Sequence, residues 1–146
     1  MELEPGEAIE EENITMIHNG KLEKFASIEE FLEKENLDIF YPQPLPSGLE
    51  VKTIRKYSFE DENYSYIIDF NKPNTSLMIR NYFAIDTNSL NFKEKQSFAQ
   101  STFYIVQNEN NTYQAICQKD KSEYVVNAPD YETLISLLQN LKGSPK

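Results

Sequence analysis

With 146 residues, 24 acids against 14 bases and a net charge of −10, the chain is long enough for one domain with a real core. It is poorly matched to nucleic acid, whose binding rests on neutralising phosphates. A single cysteine, Cys117, excludes an internal disulfide and a cysteine-cluster metal site, and no run approaches the ~18 apolar residues of a membrane span.

Six of the acids fall in residues 1–12, where no Lys or Arg occurs. Residues 1–12 are therefore expected to be a disordered acidic tail, 13–142 a single domain and 143–146 a flexible end. Asn19-Gly20, between Ile14–His18 and Lys21–Phe25, predicts a hairpin whose type I′ turn places both residues at positive φ. Ser27, followed three residues later by Glu30, is a capping box. It opens a helix to Asn36 with Ile28, Phe31 and Leu32 on one face. Pro42, Pro44 and Pro46 then hold Tyr41, Gln43 and Leu45 extended. Ser47-Gly48 turns the chain, with Gly48 at positive φ.

From Leu49 the hydrophobic period becomes that of strands. In Leu49–Phe59, Ile54 is out of step with Val51 and Tyr57, which signals a bulge or a change of face. Tyr64, Tyr66, Ile68 and Phe70 mark the next strand, and Leu77, Ile79, Tyr82, Phe83 and Ile85 a third. Asp86–Gln100 has no clear period; Phe92 and Phe98 fit a strand or a loop equally. Thr102–Gln107, Tyr113–Cys117 and Glu123–Asn127 form a meander with short polar turns. Asp130 caps a second helix that runs to Leu141 and ends at Lys142-Gly143. Its leucine face is expected on the meander, with Leu138 against Ile116 or Val125. The fold class is thus α+β: an antiparallel sheet of about five to seven strands, with one short N-terminal helix and one C-terminal helix packed on it.

Residues with chemical reach are few. His18 is the one histidine, beside a turn where exposed polar residues are ordinary. Cys117 follows Ile116 in a strand and reads as a small buried hydrophobe, since a reactive thiol needs exposure and a cationic neighbour. Glu60-Asp61-Glu62 and Asp86 offer oxygen ligands, but their spacing matches no EF-hand loop and fits solvated turns. No catalytic residue, cofactor or metal site is expected. Tyr64, Tyr66, Tyr82, Tyr104 and Tyr113 are candidates for a binding surface, because a tyrosine ring is apolar while its hydroxyl hydrogen-bonds. The competing reading is that tyrosine simply suits strands.

Two stretches resemble a family: the capped helix Ser27–Asn36 with Tyr41-Pro42 and Leu45-Pro46-Ser47-Gly48, and the ending from Thr112-Tyr113 through Tyr124-Val125-Val126 into Asp130–Leu141. They are similar to the domain of unknown function found outside the membrane in Firmicute anti-sigma-factor-like and sporulation-associated proteins, over about residues 22–142. Leu49 stands where that family often has an aromatic residue, and the chain lacks its tryptophan. The resemblance implies an exported or membrane-tethered setting outside a Gram-positive membrane, and implies no catalytic residue.

The expected function is a non-enzymatic, extracytoplasmic binding or sensing module. The alternatives are a carbohydrate- or peptide-binding module using the sheet tyrosines, and a small carboxylate-dependent hydrolase. Expected partners are a protein, peptide or glycan, with no nucleic acid, and a membrane only through a tether outside this chain.

Overall fold

A computed structural model describes residues 9–11, 14–17, 20–35, 40–42, 44–59, 62–99, 101–119 and 121–143. Its first three strands, β1 (Ile9–Glu11), β2 (Ile14–Ile17) and β3 (Gly20–Phe25), form an antiparallel meander. Residues 9–11 of the expected tail are therefore paired, whereas 1–8 and 12 lie outside the described residues. The hairpin closes on the pair Ile17↔Gly20, one residue earlier than an Asn19-Gly20 turn requires. His18 and Asn19 lie outside the described residues. Gly20 is a strand residue that does not take positive φ. Its smallness serves close approach instead: a Cβ there would sit 2.0 Å from the Ser58 carbonyl oxygen.

Helix α1 (Ile28–Glu35) starts as its cap dictates, with the Glu30 N–H donating to Ser27 Oγ at 3.1 Å. The Glu30 carboxylate reaches back one residue beyond the cap, accepting from the Ala26 N–H at 2.8 Å. Phe31, 0% exposed, meets the rings of Phe25 and Tyr66 edge-on. After β4 (Phe40–Pro42) the chain turns at Pro46–Leu49, where the Leu49 N–H donates to the Pro46 carbonyl. Gly48 takes φ 82°, the value a type II turn needs at that place.

The remaining elements are β5 (Val51–Phe59), β6 (Tyr64–Phe70), β7 (Ser76–Arg80), β8 (Glu94–Phe98), β9 (Ser101–Gln107), β10 (Tyr113–Lys119), β11 (Ser122–Ala128), α2 (Tyr131–Gln139) and β12 (Leu141–Gly143). The sheet order is β1-β2-β3-β5-β6-β7-β11-β10-β9-β8, and β12 pairs separately with β4. Two antiparallel meanders thus meet along β7 and β11. The α+β class holds, but ten strands in one sheet exceed the five to seven expected. The strands without a counterpart in the sequence reading are β1, in residues expected as tail, and β8, which lies in the stretch without a readable period.

Two boundaries also differ. The third expected strand stops at Arg80, because the N–H groups of Ala84 and Ile85 go to a side chain, Glu123, rather than to a ladder. Helix α2 starts where expected, Asp130 Oδ1 accepting from the Thr133 N–H at 2.8 Å, but ends at Gln139. Leu141–Gly143 leave the helix to pair with β4.

Opposed residues of an antiparallel ladder point to the same side. On one side, Ile54, Ile68, Leu77, Val126, Ala115 and Ile105 lie in register, flanked by the row Tyr66, Ile79, Tyr124 and Cys117. They form the core with Phe31, Leu134, Leu137 and Leu138 from the two helices. Ile116 and Val125 point to the opposite side and are not part of that cluster. Leu138 is in the core as expected, but the cluster it shares holds Ala115, Cys117 and Val126 and leaves out Ile116 and Val125.

Candidate binding groove

The sheet face turned away from the helices carries three transverse rows. The first runs Thr53, Asp69, Ser76, Asn127, Gln114 and is polar across these five strands, with Val106 next on β9. The second runs from Arg55 through the apolar Ile67, Met78, Val125 and Ile116 to Tyr104 and Lys95. The third, Tyr57, Ser65, Arg80, Glu123, Gln118, is again polar.

The third row is sealed by the segment after β7. Glu123 is 0% exposed and accepts four hydrogen bonds: from Arg80 Nη1 at 2.5 Å, Gln118 Nε2 at 2.8 Å, and the N–H groups of Ile85 at 3.1 Å and Ala84 at 3.3 Å. Gln118 also donates to the Ile85 carbonyl, and Phe92 packs edge-on against Tyr104. A carboxylate saturated in this way anchors a loop; it has no lone pair directed at a substrate.

Thr53, Asp69, Ser76 and Asn127 of the first row, by contrast, floor an open groove of about 860 Å³ that extends from β3 to β10. Within that row Gln114 donates to Asn127 at 2.9 Å, Asn127 to Ser76 at 3.1 Å and Thr53 to Asp69 at 2.9 Å. Arg55 leans across from the next row to Asp69 at 2.6 Å, while its buried Nε–H has no partner among the described residues. The bulge that Ile54 signalled is present between Val51 and Thr53. It keeps Val51 and Ile54 both packed on the core and sets Lys52 and Thr53 side by side on the groove wall. Lys24 and Lys72 add two more cations; Lys72 bonds Thr133 Oγ1 at 2.9 Å and pairs with Asp130 at 3.6 Å.

The expected tyrosine surface does not assemble. Tyr66 is 2% exposed and lies in the core; Tyr64 lies beside it with its ring tilted, 5.1 Å between ring centroids, and Lys56 sits over both rings. Tyr113 also faces the helices, edge-on to Tyr131, with Lys93 over the pair. Tyr104 lies on the opposite face and Tyr82 in the loop after β7. Alternation within one strand shows which residues share a side, but not which side neighbouring strands share.

Other named residues are placed as follows. Cys117 is buried in the core, and burial pushes its thiol up to about 11 against the smaller opposing pull of Lys119. Asp86 closes its own turn, accepting from the Asn88 N–H and the Ser89 hydroxyl. Glu60, Asp61 and His18 lie outside the described residues, among which no group of three His, Cys, Asp or Glu side chains could hold a metal ion. A second polar cluster joins β8 to α2: Tyr131 donates to Glu94 at 2.7 Å, and Gln96 donates to both. The Tyr131 hydroxyl, then Gln96, holds the Glu94 carboxyl below its usual range, while Glu94 raises Tyr131.

The groove is not legible in the sequence because its residues come from six strands and are individually unremarkable. The one local signal was the phase slip at Ile54, which marks the bulge that carries Lys52. Compared with models of known protein families, with curated proteins and with solved structures, the chain matches none of them.

Proposed function

We propose that this chain is a non-enzymatic binding module whose ligand lies in the open groove floored by Thr53, Asp69, Ser76 and Asn127. The observation that carries this is the unequal covering of their sheet face. The Glu123 end is closed by its own loop, whereas the Asn127 end is an open groove of about 860 Å³, within the range of ligand pockets. A hydrolase reading is less favoured: Asp69 is the one carboxylate among the described groove residues, and Arg55 and Thr53 already hold it. A tyrosine-based carbohydrate platform is less favoured too, since the five rings are divided between two faces and a loop.

The resemblance of the α1-to-Gly48 and closing-helix stretches supports an exported or tethered setting for this module. Fractionation of cells carrying the tagged full-length protein tests that part, and recovery in the cytosol would sink it. The groove itself is tested by amide chemical-shift mapping against mixtures of short peptides and oligosaccharides. Perturbations should gather at Thr53, Asp69, Ser76 and Asn127; perturbations confined to other surfaces would rule the groove out.

A further inference from the structure

We infer that the ligand of this groove is an acidic polypeptide segment in extended conformation, which rests on the groove being the binding site. The groove reverses the charge of the molecule. In a chain of net charge −10, four cations, Lys24, Lys52, Arg55 and Lys72, line it against Asp69 alone. Arg55 and Lys72 have carboxylate partners, but Lys24 and Lys52 are exposed and have no ion-pair partner among the described residues.

The spacing of these cations selects the shape of the anion. They stand on β3, on β5 and just after β6, and neighbouring strands lie about 4.8 Å apart, so the set spreads over roughly 10 Å. One phosphate or carboxylate cannot meet charges so far apart. An extended peptide repeats its side chains on one side every ~6.6 Å, and alternate acids would follow the row.

The floor fits a peptide as well. Asn127, Ser76 and Thr53 present an amide and hydroxyls, which match the donors and acceptors of a main chain. Base or sugar stacking needs a ring platform, whereas the aromatic residues at the groove wall, Phe70 and Tyr113, belong by register to the helix-covered face. The acidity of the rest of the chain opposes long polyanions beyond a Debye length of about 8–10 Å, which favours a short segment over nucleic acid.

The test uses a fluorescein-labelled hexapeptide alternating Glu and Ser, its Gln-for-Glu counterpart, a labelled oligothymidylate of equal charge and inorganic phosphate, each with the full chain. The acidic peptide should bind saturably at low salt, with amide shifts at Thr53, Asp69, Ser76 and Asn127. Binding should weaken about tenfold or more in K24E/K52E, whose melting temperature should match that of the parent because both lysines are exposed. Failure of the acidic peptide to saturate by about 1 mM would overturn the inference. So would equal binding of the Gln peptide, or equal or tighter binding of oligothymidylate or phosphate; the groove reading survives those results if shifts still fall in the groove. Acidic-peptide binding with shifts only elsewhere would overturn both.

Discussion

Replacing Glu123 by alanine tests whether one buried carboxylate holds the loop after β7. The change removes the acceptor of four donors and leaves Arg80, whose side chain is only 19% exposed, beside the space left behind. Removing one partner of a buried ion pair costs about 3–5 kcal/mol, and each orphaned donor about 1–3 kcal/mol. These do not simply add, because a loosened loop lets water reach Arg80 and the N–H groups of Ala84 and Ile85. We therefore expect about 3–4 kcal/mol for Glu123→Ala, at the lower side of the buried-pair range. The pair is opposed in register, so Arg80→Met with Glu123→Leu should cost less than Glu123→Ala alone, since no charge is stranded. Denaturant unfolding measures the cost, and amide exchange should show protection falling at Ala84 and Ile85 before it falls in β10. A loss within ~0.5 kcal/mol, the range of surface substitutions, would refute the anchoring role, as would a double variant less stable than the single.

Leu138, 1% exposed, should cost roughly 2–5 kcal/mol on truncation to alanine, read as a lower denaturant midpoint with little change in m. That loss should add to the loss from Ile116→Ala, on the other face, but couple with Val126→Ala in the same cluster; additivity with both would contradict the assignment of faces. Alkylation of Cys117 under native conditions should be slow, because the thiol is buried and its ionisation is pushed up to about 11; rapid stoichiometric labelling would show exposure. The lowered ionisation of Glu94 adds stability that is present above the ordinary carboxylate range and is lost as pH falls through the lowered folded value. Tyr131→Phe should raise the Glu94 titration and shrink that acid-side loss, and an unmoved carboxyl titration would refute the hydrogen bond's part in it.

What was legible in the sequence was local. The caps at Ser27 and Asp130, the positive φ at Gly48 and the phase slip before Ile54 each depend on residues within a few positions, and all four occur in the fold. What was not legible depends on register between strands. Ala115-Ile116-Cys117 and Tyr124-Val125-Val126 are apolar at every position, so their alternation does not say which residues meet the helices, and the expected partners of Leu138, Ile116 or Val125, have the wrong parity. The Arg80–Glu123 pair spans 43 residues, and no spacing rule reaches it. Asn19-Gly20 carries a turn signal, yet the reason for Gly20 is the Ser58 carbonyl on another strand. The tyrosines failed for the same cause, since a face shared within β6 is not a face shared with β9.

The polar row of the groove poses a question that stability alone does not answer. Side chains that pack well on a half-buried surface favour strands, and the adjacent row supplies apolar packing with Ile67, Met78, Val125 and Ile116. One register step away, five strands in succession carry Thr53, Asp69, Ser76, Asn127 and Gln114 instead. Their mutual hydrogen bonds contribute only about 0.5–1.5 kcal/mol each, net of water, no more than apolar packing would supply at the same sites. Solubility would be served as well by charged side chains free to move, yet these are short groups held in fixed orientation by one another. Short, ordered and polar side chains on a rigid sheet are what recognition of another molecule's hydrogen-bonding groups requires. The bulge works in the same direction, for it breaks the ladder between β5 and β6 and in return brings Lys52 onto the groove wall.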